Sequence, residues 1–308
     1  MSHNSSSNSP RVVVMTGATS GIGAAALEQI AREPDTQVLV GARGSGRAVP
    51  AGVETLPLDL NSLASVREFA DAVTRRLEGR AIDALVLNAG TQSRNLDGRT
   101  ADGFETTFGV NHLAHYLLAR LLAPHLADKA RLILTTSDTH DPAITPLGPK
   151  SLDPQALADP PKSGLGAGMR AYAASKLCNL LTARSLADTP ELNQRGITVL
   201  GYNPGFTGGT NLGDASPGAR RVMGAVVFPV FSVVGRFKPA YAMGRPERAG
   251  QVLAELATGA VTPPAGRTYV SLVKGDITYP DPSELALNDD VRDGLWEQSA
   301  EMVGLSRT

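Results

Sequence analysis

Tyr172 and Lys176 stand four residues apart in the run Tyr172-Ala-Ala-Ser-Lys176. Inside the helix-like stretch 171–187, that spacing puts both side chains on one face, about one turn apart. A cation so close favours the phenolate and lowers the tyrosine from its reference pKa of about 10. Such a pair can pass a proton to or from a substrate oxygen near neutral pH. An exposed Tyr and Lys at helical spacing arise by chance as well, so the remainder of the chain must supply the site.

The first place to look is the first turn. Residues 11–15 are apolar and β-branched. Thr16-Gly-Ala-Thr-Ser-Gly-Ile-Gly23 follows, and then an Ala/Leu/Glu-rich helical pattern. Gly17, Gly21 and Gly23 allow a tight turn and close backbone approach, and the helix N-terminus offers N–H groups to a pyrophosphate. Thr19, Ser20 and Ile22 belong to the same cofactor-binding turn. The spacing is Gly-x-x-x-Gly-x-Gly, not the common Gly-x-Gly-x-x-Gly. A plain connecting turn is the alternative, and its position at the first strand–helix junction favours a cofactor.

An NAD site places an acidic residue about 20 positions further on, at the end of the second strand. This chain has Gly41-Ala42-Arg43 there. Arg43 can pair with a 2′-phosphate through its fork of donors, and Arg47 in the same loop can assist, so the expected cofactor is NADP(H). Asp59, followed by Leu60 after the third strand, either accepts from an adenine amino group or caps the next helix. Asn88-Ala89-Gly90 ends the fourth strand, where a glycine lets backbone approach a ribose or an adenine. All of these fall at the carboxyl ends of strands, where parallel sheets bind ligands.

The elements that carry these residues alternate. Strands are expected at 11–15, 36–42, 53–58, 81–87, 131–136, 196–202 and 267–273. Helices are expected from Asn61 or Ser62 to 78, and over 110–127, 171–187, 246–258 and 289–302. Residues 43–52 are too few for a crossover helix and read as a loop. Continuous apolar strands alternating with helices mean a parallel sheet covered on both faces. The reading is α/β: a single doubly wound Rossmann-type domain over 11–308, with a mainly parallel seven-stranded sheet. Residues 1–10 read as a disordered, Ser/Asn-rich tail.

The chain has 308 residues, 42% hydrophobic and 19% charged, which suits a soluble globular protein with a sizeable core. A net charge of -1 argues against nucleic acid or an anionic membrane surface as partner. One cysteine, Cys178, excludes an internal disulfide and a cysteine-rich zinc site, and the five histidines lack metal-binding spacing. The most apolar run, 225–234, is far short of the ~20 residues of a membrane span. A cytoplasmic location is the default expectation.

Thr16-Gly-x-x-x-Gly-x-Gly23, Asn88-Ala-Gly90, Asn111, Ser137, Tyr172-x-x-x-Lys176 and Asn203-Pro-Gly205 occur in that order. In this set the chain resembles the short-chain dehydrogenase/reductase family over nearly its whole length. The resemblance implies that Tyr172 is the acid/base and that Lys176 bonds the nicotinamide ribose and depresses the Tyr172 pKa. It implies that Ser137 orients the carbonyl and that Asn111 holds a water relaying protons from Lys176. It places Pro204-Gly205 over the nicotinamide, with Thr207 or Thr210 bonding its carboxamide. A homodimer or tetramer is compatible with it.

Ser137 and Tyr172 lie 35 residues apart, more than is usual in the family, which makes 138–168 a candidate substrate-site insert. Such spacers are similar to those of the retinol dehydrogenase and light-dependent protochlorophyllide reductase branches. Tyr172-Ala-Ala-Ser-Lys-Leu-Cys-Asn-Leu-Leu-Thr182 and Leu295-Trp-Glu-Gln-Ser-Ala-Glu-Met-Val-Gly-Leu305 resemble the latter. The insert lacks that branch's further cysteines, so the branch is a neighbour. Cys178 reads as a buried apolar thiol. His112 and His115 read as packed or surface residues, and His140 can line the substrate cleft. The segment 206–245, with Phe228 and Phe231, reads as an apolar lid over the substrate, or equally as core packing or an oligomer contact.

These readings converge on an NADP(H)-dependent oxidoreductase that interconverts an alcohol and a carbonyl in a bulky, mainly apolar small molecule. The nearest rival is reduction of a conjugated C=C bond. A rival of another class is a non-catalytic NADP(H)-sensing regulator, for which four intact catalytic positions would be superfluous.

Overall fold

The computed structural model describes residues 10–44, 49–161, 164–207 and 244–307. Its frame is one eight-stranded sheet. The strands are β1 (Arg11–Thr16), β2 (Thr36–Ala42), β3 (Val53–Pro57), β4 (Ile82–Leu87), β5 (Leu126–Thr135), β6 (Thr198–Asn203), β7 (Tyr269–Val273) and β8 (Asp276–Thr278). They lie in the order β3-β2-β1-β4-β5-β6-β7-β8. Neighbours pair in parallel throughout, save the antiparallel β7–β8 pair. The order reverses between β1 and β4, which creates a crevice at the carboxyl ends of those two strands.

The longer helices are α1 (Gly21–Ile30), α2 (Leu63–Leu77), α4 (Ala114–Leu122), α6 (Ala167–Ala187), α8 (Pro246–Thr258) and α10 (Asp289–Met302). Shorter ones are α3 (Thr106–Phe108), α5 (Pro154–Ala158), α7 (Pro190–Gln194) and α9 (Glu284–Leu287). Side chains alternate across β1. Val13 and Met15 join Leu27 and Ile30 of α1 and Val252 and Leu253 of α8 in one core. Val12 and Val14 join Phe69 of α2, Leu117 of α4 and Leu177 and Leu180 of α6 in the other. A strand buried on both faces has no polar side, which is why β1 reads as a continuous apolar run.

The structure departs from the sequence expectation in four places. An eighth strand joins the expected seven. It follows Lys274-Gly275, both at positive φ (53° and 89°), as a two-residue hairpin turn requires. Three residues, two of them polar, gave it no recognisable alternation. β5 begins at Leu126 instead of 131, because its first half is irregular: Lys129 has φ 62° and the pairing with β4 shifts register. The expected helix over 110–127 is divided into α3, a π-helical stretch Gly109–Leu113, α4 and a 3-10 turn Ala123–His125. α6 starts at Ala167, after Gly166 at φ 76°.

Ser62 is the cap of α2, accepting from Ser65 N at 3.3 Å. The insert 138–168 holds a 3-10 turn, Asp138–His140, and α5, which Asp153 caps. No helix among the described residues is long and apolar enough to cross a membrane. Arg47, Thr210, Phe228, Phe231 and most of the segment 206–245 lie outside the described residues, as do residues 1–9.

Candidate active site

The end of β5 and the middle of α6 are fastened together. The Thr136 hydroxyl donates to the Lys176 carbonyl at 2.7 Å. Lys176, only 2% exposed, donates from Nζ to the Thr135 carbonyl at 3.1 Å. Asn179 Nδ2 reaches the same carbonyl at 3.2 Å. The Lys176 ammonium lies 5.5 Å from the Tyr172 ring centroid. The Ser137 hydroxyl donates to Asp138 Oδ1 at 3.4 Å and accepts from Thr139 N at 3.3 Å, and Ser137 also favours the Tyr172 phenolate. Tyr172 and Lys176 of α6 thus lie beside the end of β5.

Burial decides the electrostatics. It pushes the Tyr172 phenol above the ordinary tyrosine range; the Asp138 carboxylate adds to this, and the nearby Ser137 side chain opposes it. Burial also lowers Lys176 to about 8. This corrects the expectation that Lys176 brings Tyr172 down. The loss of phenolate hydration on burial is the largest influence on Tyr172, while the ammonium donates to the Thr135 carbonyl. A tyrosine held protonated can donate a proton but needs help to accept one.

The glycine turn is built against the end of β4. A Cβ on Gly17, whose φ is 65°, would stand 2.5 Å from Ala89 Cα, and one on Gly23 would stand 1.9 Å from the Gly17 carbonyl oxygen. Only glycine fits either position. Asn88 Nδ2 donates to the Gly17 carbonyl at 3.1 Å, and Asn88 Oδ1 accepts from Thr135 Oγ1 at 3.0 Å. Ser20 N-caps α1 without a side-chain hydrogen bond, and the first turn carries no acidic residue. The helix therefore presents backbone N–H groups and its positive end, a combination suited to an anion. Arg43 is exposed just past β2, on the same side of the sheet's carboxyl edge.

The other expected residues have these partners within the chain. Asp59 does not cap α2. Its Oδ1 accepts from Asn61 N at 3.1 Å and shapes the turn ahead of Ser62. The Leu60 side chain packs against the core. Both Nδ2 hydrogens of Asn111 are committed, to Thr91 O at 2.9 Å and Ser175 Oγ at 3.0 Å, while its Oδ1 accepts from Thr91 N at 2.7 Å. The side chain thus braces the loop after β4 against α6. Gly205 N donates to Asn203 Oδ1 at 3.0 Å, and the Thr207 hydroxyl donates to the Pro204 carbonyl at 3.2 Å.

His140 is buried. Its Nδ1 donates to the Ser137 carbonyl at 2.6 Å, and its Nε2 faces Ser283 N at 3.4 Å. It packs edge-on against Tyr269 and lines a cavity of about 170 Å³ with Asp138 and Tyr269. Both ring nitrogens already have protein partners, so the ring supports the backbone behind Ser137. Cys178 is buried, and burial raises its thiol pKa. His112 is buried against the Ser299 hydroxyl at 2.8 Å, which makes it packed and not superficial. Among the described residues, no group of three or more His, Cys, Asp or Glu side chains is placed to hold a metal ion.

Two site residues were not visible in the sequence. Asp138 follows Ser137 and acts electrostatically on Tyr172, with its own carboxyl raised by burial. Its only signal was adjacency to Ser137. His115 joins Thr16 to Asn111, a contact across 99 residues that no local pattern announces.

A family model described as short chain dehydrogenase matches residues 11–143. Protochlorophyllide reductase B of Oryza sativa subsp. japonica is 32% identical over 330 residues, covering 95% of this chain and 77% of that protein. The chain belongs to the short-chain dehydrogenase/reductase family. Protochlorophyllide reductase A of Hordeum vulgare is 31% identical over 333 residues, covering 96% and 81%. Other relatives of this family member are longer: the chain spans 48% of the WW domain-containing oxidoreductase of Drosophila melanogaster, to which it is 34% identical over 63% of its own length. Among solved structures, one from Mycobacterium paratuberculosis superposes with a TM-score of 0.67 at 27% identity, over 98% of both chains.

Proposed function

We propose that this chain is an NADP(H)-dependent oxidoreductase that interconverts an alcohol and a carbonyl in a bulky, mainly apolar small molecule. The observation that carries this reading is the placing of Lys176 beside Tyr172 at the end of β5, where Thr135 bonds Asn88 and Asn88 bonds the glycine turn. A bound nicotinamide supplies the hydride for reduction or takes it up in oxidation. Gly17, Thr19, Ser20, Gly21, Ile22 and Gly23 cradle the pyrophosphate, and Arg43 pairs with the 2′-phosphate. Asp59, Leu60 and Asn88 to Gly90 flank the adenosine half. Pro204, Gly205 and Thr207 flank the nicotinamide half.

Within that site, the Ser137 hydroxyl donates to the substrate oxygen and fixes its position. Tyr172 delivers a proton to that oxygen as negative charge develops there. Lys176 provides the positive charge that makes the resulting phenolate tolerable, and the proton is then restored from solvent. The elevated Tyr172 pKa favours the proton-donating direction, which is carbonyl reduction. A raised phenol also makes alcohol oxidation the more pH-dependent direction.

Oxidation of NADPH and of NADH over a panel of aromatic and aliphatic ketones and aldehydes tests the reading. It expects turnover with a marked preference for NADPH in kcat/KM. Equal kcat/KM for the two cofactors would remove the 2′-phosphate assignment. The near full-length similarity to the two protochlorophyllide reductases favours a second reading, reduction of a conjugated C=C bond with Tyr172 protonating carbon. An α,β-unsaturated ketone separates the two, since one route yields an allylic alcohol and the other a saturated ketone.

A further inference from the structure

A buried chain of hydrogen bonds runs from the glycine turn to the backbone of Tyr172, and it passes through one imidazole. His115 is 1% exposed. Its Nδ1 lies 3.0 Å from the Asn111 carbonyl and its Nε2 3.0 Å from Thr16 Oγ1. A carbonyl only accepts, so Nδ1 carries the proton and Nε2 accepts from the Thr16 hydroxyl. The Thr16 oxygen has two further lone-pair directions, and Asn88 N and Ala89 N fill them at 3.1 and 3.2 Å. On the other side, Asn111 Nδ2 donates to Ser175 Oγ at 3.0 Å, and Ser175 Oγ donates to the Tyr172 carbonyl at 2.7 Å.

Every donor along this chain has an acceptor. The Thr16 hydroxyl and both imidazole nitrogens are fully used, so the tautomer has no freedom. The charge state has none either: burial, with the positive charge of Lys176 on α6 also opposing protonation, holds His115 at about 4. A neutral, single-tautomer imidazole is a rigid two-ended link, able to accept at one end and donate at the other. A leucine or phenylalanine could occupy the volume without making either bond.

We propose that His115 is a positioning residue that keeps the glycine turn of the cofactor site in register with the helix bearing Tyr172 and Lys176. It acts through Thr16, which holds the ends of β1 and β4 together, and through Asn111, which braces α6. The proposal rests on the reading of that turn as an NADP(H) site. It gives His115 a role in cofactor affinity without contact with the cofactor.

The test uses the full chain, with NADPH as the titrant and binding followed by nucleotide fluorescence. His115→Leu loses both hydrogen bonds and is expected to weaken NADPH binding about tenfold or more. His115→Gln can accept from Thr16 at Oε1 and donate to Asn111 O from Nε2, and is expected to stay within about threefold of the parent. A folded His115→Leu that binds NADPH like the parent overturns the proposal, as does equal weakening by Leu and Gln. If His115→Leu does not fold, Thr16→Val removes the other end of the link. Thr16→Val and His115→Phe, which keeps a ring in the same volume, should each weaken NADPH binding about tenfold, and the double variant should weaken it no further than the worse single variant. Additive losses, or no loss in Thr16→Val, overturn the link. A parent chain that binds neither NADPH nor NADH removes the cofactor reading and this proposal together. Unchanged binding in the variants of a chain that does bind removes only the role of His115.

Discussion

The Lys176 ammonium lies 5.5 Å from the Tyr172 ring centroid and donates to the Thr135 carbonyl at 3.1 Å. The two side chains share a helical face, and the lysine is held by the strand end. The pair is therefore anchored to β5 as much as to its own helix. Its chemistry depends on how deeply both groups are buried.

The first prediction concerns pH. Lys176 is pushed down by burial to about 8, so it is charged below that value and loses its proton above it. The Tyr172 phenol stays protonated across the same range because its own pKa is raised. For carbonyl reduction, kcat/KM is expected to hold from about pH 6 to 8 and to fall above, as the charge that steadies the phenolate disappears. Lys176→Arg keeps its charge and should move the fall to higher pH. A parent profile that stays level through about pH 10 would count against this role for Lys176.

The second prediction concerns the 2′-phosphate. Removing an exposed arginine that pairs with a phosphate costs a charge-assisted bidentate contact. Arg43→Ala is expected to raise KM for NADPH by about 10- to 100-fold and to leave KM for NADH nearly unchanged. Steady-state kinetics with both cofactors measure it. A parallel loss with NADH would show that Arg43 serves the fold and not the phosphate.

The third prediction concerns acid stability. His112 and His115 are held neutral in the folded chain, at about 3 and about 4, mainly by burial. The unfolded chain protonates them near 6.5, so it binds more protons than the folded chain once the pH drops below that value. Stability is fully present above pH 6.5 and is lost as the pH falls. By pH 5 the loss is about 2 kcal/mol per histidine. Urea midpoints at pH 7 and pH 5 test the sign. An unchanged midpoint would mean that these imidazoles are hydrated or protonated in the folded protein.

How much of this was legible in the sequence follows from what each feature depends on. Gly17 and Gly23 could be read because a missing Cβ is a local property with one common use at a strand–helix turn. The boundaries 246–258 and 289–302 hold in the structure because Pro246 opens α8 at its first turn and Asn288 caps α10, accepting from Val291 N at 3.1 Å. The direction of the Tyr172 shift was hidden, since spacing puts a cation nearby but says nothing about burial. Asn111 was recognised while its partners were not, because Thr91 and Ser175 reach it only after the sheet has formed. The same holds for His115 and Thr16, and for Asp138 beside Tyr172. β8 escaped because three residues carry too little period to register.

The fourth prediction bears on the central claim, that Tyr172 supplies the proton. Tyr172→Phe removes one oxygen and keeps the ring, so the packing of α6 against β5 is preserved. The measurement is single-turnover NADPH oxidation with a ketone that the parent chain reduces, alongside NADPH titration of the same variant. The account predicts a fall in rate of about 100-fold or more, with NADPH affinity within about threefold of the parent. A Phe variant that turns over at close to the parent rate would contradict it.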